Sequence, residues 1–186
     1  MKKRIILTAL VMFTGCSLYV LQTPDTVPKN KTSFGIGLVG NPESEVAFLI
    51  PGFWARTGIT KNMDIGIHSF GVGIASDIKY KIIPGFALGA GAGFAVLGFS
   101  AYYLNGSGYF SIPLKPIEPY GVLRLTAGGV SYEGEGASGL STEAVGGIRL
   151  NLNNRASILI DGGVTISNSN SSVIGKVIEF GISIGH

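Results

Sequence analysis

Hydrophobic and polar residues alternate in twos along most of this chain. The pattern is plainest at residues 143–166, EAVGGIRLNLNNRASILIDGGVTI. There Ala144, Gly146, Ile148, Leu150 and Leu152 share one face, against Glu143, Val145, Gly147, Arg149 and Asn151. Beyond Asn153 and Asn154 the alternation resumes. Ala156, Ile158, Ile160, Gly162, Val164 and Ile166 then face away from Ser157, Leu159, Asp161, Gly163 and Thr165. Period-two patterning around a short Asn-rich turn predicts a β-hairpin.

The same unit recurs. Strands are predicted at 31–39, 45–59, 64–71, 73–83, 86–96, 101–114, 119–130 and 173–185, which with the hairpin makes ten; eight is the alternative. Phe34, Ile36 and Leu38 share a face in the first. Val46, Phe48, Ile50 and Trp54 share one in the second, where Pro51 predicts a bulge or bend because proline cannot donate to a ladder. Later outward sets are Ile65 and Ile67; Ile74, Ile78, Tyr80 and Ile82; Phe86, Leu88 and Phe94; Leu104, Phe110 and Ile112; Leu123 and Leu125; and Ile178, Phe180, Ile182 and Ile184. The opposite face of 86–96 is entirely small: Ala87, Gly89, Gly91, Gly93 and Ala95. Residues 131–139 and 168–172 read as loops.

Mean hydropathy is +0.41 and charged residues are only 13%. Yet no apolar run beyond the first twenty residues is long enough for a membrane helix. Apolar overall without apolar runs is the signature of a barrel whose lipid-facing residues alternate with lumen-facing ones. The prediction is an all-β, closed antiparallel up-and-down transmembrane β-barrel over 31–186, its apolar face towards lipid. Glycine, at 29 residues, is roughly twice the average usage of about 7%. It follows the strands with no triplet period, which excludes collagen, and the abundance of Val, Ile, Leu and Phe excludes low-complexity disorder.

The N-terminus is a targeting segment. Lys2, Lys3 and Arg4 form a positive region ahead of a short apolar stretch at 5–13. The following Phe13, Thr14, Gly15 and Cys16 resemble a bacterial lipobox, which implies cleavage after residue 15 and lipidation of Cys16. Cys16 is the sole cysteine, so no internal disulfide can form. Ser17 after it is compatible with sorting to the outer membrane. Residues 16–30, with Pro24 and Pro28 and no sustained periodicity, read as a flexible tether. Loss of the signal leaves 11 basic against 11 acidic residues, so no basic patch supports nucleic-acid binding.

The alternation and the last strand resemble the small bacterial outer-membrane β-barrel superfamily over about 31–186. Glu179, Gly181, Ile184 and His186 match the spacing of its C-terminal assembly signal, without the usual terminal Phe. The resemblance implies outer-membrane lipids around the barrel, and the barrel-assembly and lipoprotein-sorting machineries as partners. An even strand count puts both chain ends on one side. A periplasmic lipid at Cys16 then places the tight turns at Lys61 and Asn62, Pro84 and Gly85, 115–118, and Asn153 and Asn154 in the periplasm.

The chemistry concentrates on the inward face. Arg124, Arg149, Asp161 and Glu179 fall on four consecutive strands, and Asp77 and Lys79 on an earlier one. Unpaired charges in a narrow lumen are costly, so these six are expected to form a salt-bridged filling. The sequence favours a structural or interaction role without catalysis, cofactor or metal. Three alternatives stand beside it: a lipid-modifying barrel enzyme, a narrow small-solute channel, and a lipid-anchored periplasmic barrel with a hydrophobic ligand inside. His68 and Ser69 are adjacent and so point to opposite faces, which argues against their acting as a catalytic pair. Trp54, Tyr80, Phe94 and Tyr102 are candidates for interfacial aromatic girdles.

Overall fold

A computed structural model describes residues 21–40, 49–70, 73–96, 100–132, 135–153, 155–167 and 173–185. The signal segment 1–15, Cys16, Val46, Phe48, Asn154, the loop 168–172 and His186 lie outside the described residues.

Ten antiparallel strands run in chain order: β1 (Thr32–Gly40), β2 (Leu49–Gly58), β3 (Met63–Phe70), β4 (Gly73–Ile83), β5 (Phe86–Val96), β6 (Ser100–Ser111), β7 (Ile117–Tyr132), β8 (Glu135–Asn151), β9 (Ala156–Ser167) and β10 (Val173–Gly185). Each pairs with its sequence neighbours, and β1 pairs with β10 from Ser33 opposite Gly185 to Gly40 opposite Ile178. The sheet is therefore a closed up-and-down barrel. Closure removes the free edges that strands this apolar would otherwise expose to aggregation.

The polarity is inverted relative to a soluble domain. Ile36, Leu104 and Leu125 are 62%, 64% and 62% exposed on the outside, while Asp64, Glu143 and Glu179 are 0% exposed within. The outward sets read from the alternation on β1 and on β3–β10 face outwards wherever their side chains are described. An exterior of this kind is stable only against an apolar medium. Tyr80 faces out near the turn end of β4. Phe94 and Tyr102, cross-strand partners, face out towards the opposite end.

Strand β2 corrects the sequence reading. Phe53 is its outward aromatic, and Trp54 is buried in the lumen together with Arg56. The expected bulge at Pro51 is absent: Pro51 faces outwards, and the β1–β2 register runs unbroken from Thr32 opposite Thr57 to Gly40 opposite Leu49. The irregularity lies instead between Lys81 and Ile83 on β4. Residues 131–139, read as a loop, mostly continue the ladder, with Tyr132 opposite Glu135 and Gly128 opposite Gly139.

Candidate functional site: the occupied lumen

The small face of β5 makes room for bulk from its neighbour. Gly93 and Gly89 lie beside Tyr103 and Tyr109 of β6; a Cβ at Gly93 would come within 2.5 Å of the Tyr103 ring. Tyr109 in turn carries the Lys79 ammonium 5.6 Å above its ring, a cation–π arrangement.

Charged side chains share the remaining lumen with a buried apolar cluster that includes Trp54, Val122, Val145, Leu159 and Val177. Arg56 donates from Nε and Nη2 to Asp64 Oδ1 at 3.0 and 2.5 Å, and its Nη2 lies 2.6 Å from Asp77 Oδ1. His68 Nδ1 is 3.4 Å from the other oxygen of Asp77, and Lys79 Nζ is 3.9 Å from Asp64. Across the barrel, Arg124 donates to Ser107 at 3.1 Å and to Glu143 at 3.4 Å. The Tyr120 hydroxyl donates to Asp161 at 2.6 Å. Nearer the turn end, Arg149 pairs with Glu118 and with Asp25.

The six charges named from the sequence point inwards; Asp77, Lys79, Arg124 and Arg149 stand in ion pairs, while Asp161 accepts from the Tyr120 hydroxyl and Glu179 from the Leu21 N–H. Arg149 does not pair within the six. Its partners are Glu118 on β7 and Asp25 in the N-terminal segment, and Gly147, not Arg149, stands opposite Asp161. Arg56, Asp64 and Glu118 belong to the network and were not foreseen. One signal could have found Arg56: a guanidinium facing lipid is costly, so its parity alone turns Trp54 inwards as well.

The largest departure from expectation is the segment 21–30, read as part of a flexible tether. Leu21, Gln22, Thr23, Pro24 and Val27 are buried inside the barrel. The Leu21 N–H donates to Glu179 at 3.3 Å, and the Val27 N–H to Asp64 at 2.8 Å. Lys79 donates to the Thr23 carbonyl and Arg149 to the Thr23 hydroxyl, each at 2.8 Å. Gln22 accepts from Arg56 at 2.8 Å and donates to Asp77 at 3.4 Å. The segment leaves at the turn end, where the Asn30 N–H donates to the Gly58 carbonyl at 2.9 Å. A Cβ at Gly58 would strike the Val27 and Pro28 carbonyls, so glycine there lets the segment pass close to the wall. Beside it a cavity of about 580 Å³ opens at the same end, lined by Asp25, Val27, Glu118, Arg149 and Arg155 among others.

This arrangement does not fit an apolar ligand held within, because the lumen is charged and occupied. Among the described residues no group of His, Cys, Asp and Glu could hold a metal ion.

No family model matches this chain, and no curated protein matches it. Several solved barrels are similar in fold. The N-terminal β-barrel domain of Pseudomonas aeruginosa OprF aligns at 7% identity and a TM-score of 0.47, covering 86% of this chain and 100% of that domain. The translocator domain of the autotransporter NalP from Neisseria meningitidis aligns at 10% identity and 0.47, covering 87% and 90%. The Yersinia pestis outer-membrane protein Ail in a bilayer nanodisc aligns at 15% identity and 0.42, covering 85% and 100%. The likeness is one of barrel fold alone.

Proposed function

We propose that this protein is an outer-membrane β-barrel lipoprotein with a structural or interaction role and no catalytic one. The observation that carries the reading is the inverted polarity of a closed barrel, with leucines and isoleucines outside and paired charges within. Such an exterior calls for lipid, and a lumen filled by ion pairs and by residues 21–27 leaves little room for substrate. Ser69 lies on the opposite side of β3 from the lumenal His68, which supports a non-catalytic role. Cys16 carries the lipid, the tight turns face the periplasm, and the opposite ends of the strands face outwards. Outer-membrane lipids surround the apolar belt. The assembly machinery reads the last strand, and the sorting machinery reads the lipidated N-terminus.

Fractionation tests this. A Cys16→Ala variant should lose lipid-dependent processing yet stay with the outer membrane through an alkaline carbonate wash, because the barrel holds itself in the bilayer. Release of the variant by the wash would contradict the spanning reading and leave a barrel held by its lipid alone.

A further inference from the structure

We propose that the turn end of the barrel is a docking rim for anionic phospholipid headgroups, which it binds in preference to zwitterionic ones. The proposal rests on the outer-membrane reading above.

Among the described residues, every exposed cation but Lys176 stands at that end. Lys29 and Lys31 lie at the entry to β1, Lys61 in the β2–β3 turn, Lys115 in the β6–β7 turn and Arg155 in the β8–β9 turn. The half-exposed Lys81 comes just before the β4–β5 turn, so each corner of this end carries a cation. The opposing charge is small. Asp25 is the exposed carboxylate here, and Arg149 and Lys81 already share it, while Glu118 is buried against Arg149. No carboxylate among the described residues pairs with Lys29, Lys31, Lys61, Lys115 or Arg155. The far ends of the strands are balanced by contrast, with Glu135 on β8 and Lys176 on β10 exposed.

The backbone holds these corners in place. The Lys31 carbonyl accepts from the Gly58 N–H at 3.1 Å, and the Ile59 and Thr60 N–H groups close the turn around Lys61 on the Met63 carbonyl. The Arg155 N–H donates to Asn153 Oδ1 at 2.7 Å, and its carbonyl accepts from the Gly185 N–H at 2.8 Å. Charges on fixed corners bind with less ordering cost than charges on a free tail.

The apolar neighbours of the cations say what covers the rim. Ile59 lies beside Lys61, Ile83 beside Lys81, Leu114 and Ile117 around Lys115, and Leu152 near Arg155, all of them exposed. Aliphatic and cationic side chains at one level match the boundary where acyl chains give way to phosphates, which a lysine reaches by extending its head. A soluble polyanion could satisfy the cations, including Lys115 and Arg155 beside the cavity, but it would leave the aliphatics in water. Lipid satisfies both.

The test is electron paramagnetic resonance of spin-labelled phosphatidylglycerol or phosphatidylcholine in phosphatidylcholine vesicles that hold the full chain. The wild type should restrict phosphatidylglycerol at least about two-fold more strongly, and about 1 M salt, which screens beyond about 3 Å, should narrow the preference. A variant with Lys29→Gln, Lys31→Gln, Lys61→Gln, Lys115→Gln and Arg155→Gln should come close to parity. Lys61→Gln or Lys115→Gln alone should lower the preference in part, and Lys61→Arg with Lys115→Arg should keep it. Lys176→Gln should leave most of it. Gel mobility with and without boiling reports which variants are folded, and the single ones carry the test if the fivefold one is not. Equal restriction of both lipids by the wild type would overturn the rim, as would a preference that survives in the folded glutamine variants or is abolished by Lys176→Gln. Binding of soluble polyglutamate without any headgroup preference would also overturn it, in favour of an acidic protein partner. A wild type that restricts neither lipid would instead sink the membrane reading beneath it.

Discussion

The indole of Trp54 occupies the space that a side chain at Gly35 would need, and the two residues are direct partners across the β1–β2 ladder. Gly181 on β10 completes the recess: a Cβ there would meet Leu21 at 2.6 Å and Trp54 at 3.1 Å. Two glycines thus seat the tryptophan, and the tryptophan helps seat the inner end of the N-terminal segment. Gly35→Val should destabilise the barrel by about 1–3 kcal/mol or more through overpacking. Trp54 is the sole tryptophan, so its fluorescence during urea unfolding reads this site directly. Gly146 faces outwards, and a methyl group added there would meet nothing within 4 Å, so Gly146→Ala should be neutral or gain up to about 1 kcal/mol. Equal losses at the two positions would contradict the packing described.

Arg124 and Glu143 form a buried pair at 3.4 Å. Removing one partner leaves a charge in the lumen without its counter-ion, so Arg124→Ala or Glu143→Ala should each cost about 3–5 kcal/mol. The double variant should recover part of that loss, which a double-mutant cycle on urea midpoints would show. Strictly additive losses would mean that the pair is not coupled.

Lys81 and Asp25 make a different kind of pair. They lie 3.8 Å apart with side chains 29% and 48% exposed. Solvent screens such a contact, so Lys81→Gln should change stability by no more than about 1 kcal/mol. A loss as large as that at Arg124 would place the turn-end mouth in a far drier setting than the exposure implies.

The apolar exterior makes a depth-dependent prediction. Leu125 lies midway along β7, and Ile83 ends β4. In vesicles, Leu125→Arg should cost about 2–4 kcal/mol and Ile83→Arg only about 0–1 kcal/mol, because the bilayer is driest at its midplane. Similar small effects at both sites would point to an exterior bathed in water.

Most of this fold was legible because an alternating strand states its own two faces. On β8 and β9, Glu143 and Asp161 mark the inside as clearly as Ile148 and Ile160 mark the outside. Strand β2 misled because Phe53 and Trp54 are adjacent and either could serve as the outward aromatic; only Arg56 breaks the tie. Residues 131–139 misled because glycine, serine and glutamate suit a loop as well as a strand that extends past the apolar belt. The segment 21–27 was illegible for a deeper reason. It has no period of its own, and its partners lie far away in sequence: Asp64 for Val27, Arg149 for Thr23 and Glu179 for Leu21. Only closure of the barrel brings them together.

The central claim, a closed barrel that lives in a membrane, is tested most directly by gel mobility of the outer-membrane fraction with and without boiling. A barrel held by a closed ladder of ten strands should resist SDS until heated, and so run at a different position in the unboiled sample. One band at one position in both samples, with the protein absent from the outer-membrane fraction, would contradict the account.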